Sequence, residues 1–142
     1  MTTGTGSSIG ELCAAADEAL ASAAFCTGDF SVAERTFGQV LTMAESHGDR
    51  EAEARALGGL GMVRHQRCIA LLVAGAAPDD ADVAAEEELM RGALAIWLET
   101  GDAVGTARAL FGMGLVHQVL HRDWAAAMQY YWRAYGLAES HG

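Results

Sequence analysis

The chain contains no lysine. All nine basic residues are arginine, set against 19 acidic ones, and the formal charge is −10. A chain this acidic repels phosphate backbones, which argues against general nucleic-acid binding. Proline is nearly absent: Pro78 stands alone in 142 residues, so the commonest interruption of long helices is missing. The three cysteines, Cys13, Cys26 and Cys68, are an odd number and make no disulfide framework. They read as small apolar packing residues. No apolar run approaches the ~18 residues that a membrane span needs, and no β-branched run alternates with period two as a strand would. Met1 to Gly6 carries no basic region, and Glu11 and Asp17 interrupt the apolar residues after it. No secretory signal is therefore expected, and the chain reads as cytoplasmic, with residues 1–8 as a disordered tail.

The apolar share, 51%, suffices for the core of one domain. Self-comparison shows how that domain is organised. Ala54 to Val63 matches Ala107 to Val116 at an offset of 53, and Gly48-Asp49 keeps that offset with Gly101-Asp102. Ala44 to Gly48 matches Ala138 to Gly142 at an offset of 94, which also relates Asp29-Phe30 to Asp123-Trp124 and Phe37 to Tyr131. The two offsets share one register, with a basic unit of ~41 residues. The units are about 9–48, 49–101 and 102–142. The middle unit carries an insertion around 71–82, where Gly75, Pro78 and three aspartates mark a loop.

Each unit reads as two helices, at roughly 9–26, 30–47, 50–74, 83–100, 103–121 and 124–140. Gly48 and Gly101 suit the left-handed position after a helix, and Asp49 and Asp102 suit the N-caps of the next helices. Val32, Ala33, Phe37, Val40, Leu41 and Ala44 form one apolar face of the second helix. Gly58, Gly59, Gly61, Gly112 and Gly114 fall inside expected helices, where each costs ~1 kcal/mol relative to alanine. Close helix packing is the expected reason.

These residues resemble the tetratricopeptide repeat family. Leu60-Gly61 and Met113-Gly114 match its Leu-Gly pair. Gly28-Asp29-Phe30 matches its turn, and Arg122-Asp123-Trp124 matches that turn with arginine in place of glycine. Ala127, Tyr131 and Ala134 match its second-helix positions. Unit one departs at Ala19-Leu20, and unit two at Glu86, where a small residue is the pattern. The resemblance implies an all-α fold of three antiparallel helix pairs stacked as a right-handed superhelix, with the first helices lining a concave face. Carried onto this chain, that face includes Asp17, Ala21 and Ala24, then Arg55, Gly58, Met62, His65 and Gln66, then Arg108, Phe111, Leu115, Gln118 and Val119. A mixed surface of this kind suits an extended peptide with a carboxylate, or a small amphipathic ligand.

The remaining constellations carry little chemistry. His117 and His121 share one helix face, but no third ligand has a matching spacing, so no metal site or cofactor is expected. His65 and Cys68 lie three apart with no orienting group or oxyanion hole in view. Asp79, Asp80 and Asp82 read as a solvated loop with an N-cap, and Glu86 to Glu88 as a solvated face. The last helix is different. Trp124, Ala127, Tyr131, Ala134 and Ala138 make its expected inward face, while Tyr130, Trp132 and Tyr135 are left for an oligomer interface, most simply between two copies. The expectation is a non-catalytic module or adaptor that binds a protein or peptide in its groove. The alternative is a sensor whose groove, closed by dimerisation or by the inserted loop, holds a small ligand. An enzyme on this scaffold is the third reading.

Overall fold

The computed structural model describes residues 5–141, with side-chain surroundings from residue 9. The described chain is helical throughout its regular structure, with no strand. Its six helices, in chain order, are α1 (Thr5–Ser22), α2 (Ser31–His47), α3 (Arg50–Val73), α4 (Asp80–Thr100), α5 (Ala103–Leu115) and α6 (Trp124–His141). Each helix packs on the next, and α3 also touches both α1 and α5. Of the expected tail, residues 1–4 lie outside the described residues and 5–8 belong to the start of α1.

The turns are built as the residue types require. Gly28, Gly48, Gly75 and Gly101 all have positive φ, the conformation that ends a helix without a Cβ clash. Asp49, Asp79, Asp102 and Asp123 each accept a hydrogen bond from the backbone amide three residues on, at 3.1, 2.8, 2.7 and 3.0 Å. Each satisfies an amide that the first turn leaves without a carbonyl partner. The connection between α3 and α4 covers only residues 74–79. Residues at both ends of the expected 71–82 loop extend α3 and α4 instead, because Asp79 caps the helix that begins immediately after it.

The first helices of units one and three both end in a π-turn, Ala23–Thr27 and Val116–Leu120. The left-handed residues beyond them, Gly28 at φ 69° and Arg122 at φ 54°, stand 94 residues apart, the spacing that relates these units in sequence. Arg122 is the only non-glycine residue with positive φ among the described residues.

Four apolar clusters fill the inter-helix space. Glycines admit the large side chains. A Cβ on Gly59 would come within 2.3 Å of the Phe37 ring, one on Gly105 within 2.3 Å of the Trp97 ring and one on Gly114 within 2.3 Å of the Tyr131 ring. Gly61 and Gly112 flank Met90 from α3 and α5, and a Cβ on them would meet its sulfur at 2.8 and 2.9 Å. The close-packing role expected of Gly59, Gly61, Gly112 and Gly114 therefore holds. Val32 does not join the apolar face of α2 and stays exposed. Thr36 is buried there instead, its hydroxyl donating to the Val32 carbonyl at 2.7 Å, a bond that satisfies the hydroxyl within its own helix.

Two further expectations change. Glu86 is not on a solvated face. It is fully buried and paired with His65, Nδ1 to Oε1 at 2.6 Å, in the α3–α4 interface. Glu87 beside it is largely covered, bonded to Arg91 at 2.6 Å and to His121 at 3.0 Å. Glu86 faces α3, where His65 meets it, and Glu87 faces His121 beyond the π-turn that follows α5. Trp124 and Ala138 are exposed rather than inward: they lie at the two ends of α6, whose middle, at Ala127 and Ala134, is buried.

Candidate functional groove

A cavity of about 260 Å³ opens where α1 to α5 converge. Its floor consists of small residues, Ala54, Gly58, Gly59, Ala93, Ala109 and Gly112, and its walls of Leu20, Phe37, Met62, Met90, Trp97 and Phe111. The floor is a consequence of the close helix approach that the glycines permit. Three of the wall residues, Phe37, Met90 and Trp97, are large side chains that glycines of neighbouring helices admit. Three charged residues line the cavity as well: Asp17, Arg55 and Arg108.

The two arginines occupy matched places in consecutive units but are not equivalent. Arg55 donates to Asp17 of α1 at 2.8 Å, a half-exposed pair. Glu99 is held by Arg50, at 2.5 Å. Arg108 is exposed and has no ion pair among the described residues. The cavity mouth therefore carries one neutralised guanidinium and one free one. A free guanidinium offers a planar fork of donors that fits a carboxylate in two parallel bonds.

Of the eight groove residues expected from sequence, Arg55, Met62, Arg108 and Phe111 meet in this cavity. His65 does not: it is 1% exposed and committed to Glu86. Gln66, Leu115 and Gln118 are half-buried outside the lining, and Gln118 accepts from the Tyr131 hydroxyl at 2.6 Å. Trp97, Met90 and Phe37 line the cavity without having been assigned to it. They come from second helices, and the expectation drew only on first helices. The loop 74–79 contributes nothing to the groove. Its Ala77 and Pro78 line a separate concavity of about 450 Å³ with Val119, His121 and Arg122.

The cysteines divide by exposure. Cys26 is exposed, while Cys13 and Cys68 are buried. Burial, together with the neighbouring Glu86 carboxylate, pushes the Cys68 thiol up to about 11, so it holds its proton and is a poor nucleophile. The His117 ring stacks on Tyr130 at 5.3 Å and tilts against His121 at 5.2 Å. No group of three His, Cys, Asp or Glu residues suited to a metal ion occurs among the described residues. Hydrogen bonding from His121 holds the Glu87 carboxyl below its usual range. On α6, Trp132 and Tyr135 are exposed and meet edge to face at 6.0 Å, while Tyr130 is half-buried. No helix among the described residues is long and apolar enough to cross a membrane. No protein-family model, no curated protein and no solved structure matches this chain.

Proposed function

We propose that the chain is a non-catalytic, tetratricopeptide-like binding module, three helix pairs stacked as a superhelix, whose groove holds a peptide segment of a protein partner. The observation that carries this reading is Arg108, a free guanidinium at the mouth of an apolar cavity in a protein of charge −10. The segment presents a large apolar side chain to the cavity and a carboxylate to Arg108. The volume, about 260 Å³, suits one side-chain anchor better than a whole small ligand, for which pockets of ~300–1,000 Å³ are usual. This favours a peptide over a sensor's ligand. The cavity lining includes no serine, cysteine or histidine, which leaves it without the usual nucleophiles and without an imidazole base. The acidic charge favours partners other than nucleic acids, and a cytoplasmic location belongs to the same reading.

Selection of peptides from a random displayed library tests the proposal. Retained peptides should combine an aromatic or long aliphatic residue with a nearby acid. They should lose binding to Met62→Lys and Arg108→Gln proteins. Peptides that bind all three proteins equally would contradict the groove reading.

A second reading concerns assembly and rests on α6. Trp124, Met128, Trp132 and Tyr135 are all exposed, and their spacing sets them along one side of the helix. A second copy supplies the matching stripe, since a two-fold interface pairs a surface with itself. Three exposed aromatic residues per copy bury on the order of 1,000 Å² in total with their surroundings, which is the lower end for a specific dimer.

A further inference from the structure

Among the helix-interior glycines that line the cavity, Gly58 is the one that packing does not require. It lies in the middle of α3, where glycine weakens a helix relative to alanine. A Cβ added there would have Ala93 Cβ as its nearest neighbour, at 3.8 Å, an ordinary contact. The next residue, Gly59, is needed to admit Phe37. Gly58 instead faces the cavity, and what its missing side chain provides is an exposed stretch of α3 backbone in the cavity floor. Ala54, Ala93 and Ala109 line the cavity with it, so no side chain longer than a methyl group stands over this part of the lining.

The charge arrangement adds a selection rule. Asp17 reaches Arg55 from α1 and neutralises it at 2.8 Å, leaving Arg108 as the cation available to an incoming group. We propose that the cavity is a single-anchor pocket for an amphipathic anion: a flat apolar group lies on the bare backbone at Gly58, Arg108 receives the negative charge beside it, and Asp17 determines specificity by withholding Arg55. The proposal rests on the groove reading above and deepens it by naming the chemistry of the part that enters. Asp17 is a tethered competitor. Its side chain and that of Arg55 are both partly solvated, so their bond is exchangeable, and an anion reaching Arg55 must displace a carboxylate already in place. The pocket therefore admits one negative group readily and a second only at the expense of that pair.

Two dyes with the same ring system test this directly: anilinonaphthalene sulfonate, which is anionic, and its uncharged parent, phenylnaphthylamine. Fluorescence titration of the wild type should show the sulfonate binding roughly tenfold tighter than the parent, the size of one charge-assisted hydrogen bond. Arg108→Gln should abolish that preference. Gly58→Ala should weaken both dyes several-fold without lowering the melting temperature, because its methyl group has room in the fold and intrudes only on the pocket. Asp17→Asn should tighten the sulfonate alone. Equal affinity of the two dyes for the wild type would overturn the inference, as would indifference of both to Gly58→Ala. Loss of dye binding in Trp132→Ala with retention in Gly58→Ala would place the dye on α6 and overturn it too. If the dyes ignore Gly58 and Arg108 while selected peptides still require Met62 and Arg108, the anchor chemistry falls and the groove reading stands. If the peptides ignore those residues, the groove reading itself falls.

Discussion

Arg122→Gly should stabilise the protein. Arg122 has φ 54°, a conformation in which the Cβ of an L residue crowds the next carbonyl at a cost of roughly 1–2 kcal/mol. Its side chain is exposed and has no ion pair among the described residues to lose. Glycine removes the strain but adds freedom to the unfolded chain, which offsets about 0.4–1 kcal/mol. The net gain is on the order of 0.5–1 kcal/mol, or roughly 2–4 °C in melting temperature for a chain of this size. The matched position in unit one supplies the reverse experiment. Gly28 has φ 69° with open space around its Cα, so Gly28→Ala should lose about 1 kcal/mol from backbone strain alone. Calorimetry and urea titration on both variants give the two numbers. A lower melting temperature for Arg122→Gly would refute the assignment of strain to this turn, and so would a Gly28→Ala protein as stable as wild type.

Three other perturbations probe the packing. His65→Leu leaves the buried Glu86 carboxylate without its partner and should cost about 3–5 kcal/mol, while His65→Leu with Glu86→Leu should recover most of it; chemical denaturation of the three proteins checks the cycle. The Cys68 thiol is raised from 9.0 to about 11, so between those pH values the unfolded chain loses a proton that the folded chain keeps. Stability from this group is complete below pH 9 and falls as pH rises toward 11; Cys68→Ala should flatten that part of the urea-midpoint profile, and at neutral pH thiol labelling of the wild type should be fast at Cys26 alone. Light scattering should show concentration-dependent self-association, shifted toward monomer by Trp132→Glu and Tyr135→Glu; a wild type that is monomeric at high micromolar concentration would remove the case for α6 as an interface.

The helices and their ends were legible because local chemistry decides them. Aspartate N-caps and post-helix glycines stand at Gly48-Asp49 and Gly101-Asp102 where their residue types place them. Internal repetition carried the spacing of the units. It also marked Arg122 as a substituted glycine, and the backbone there is left-handed as the glycine would be. The burial of Glu86 was not legible. A run of three glutamates looks solvated, and only the pairing of α3 with α4 brings His65 to one of them. The groove was half legible for a related reason. Position within first helices brought Arg55, Met62, Arg108 and Phe111 together, but the walls formed by Phe37, Met90 and Trp97 depend on which glycines open the neighbouring helix to them.

The central claim is that Arg108 serves binding rather than the fold. The measurement that tests it most directly is the affinity of a library-selected peptide for wild-type and Arg108→Ala proteins, taken together with the melting temperature of each. Removing a guanidinium that receives a carboxylate should weaken binding by about 1–3 kcal/mol. The melting temperature should stay within about a degree, since an exposed, unpaired arginine contributes little to stability. A fall in melting temperature with unchanged affinity would contradict the claim.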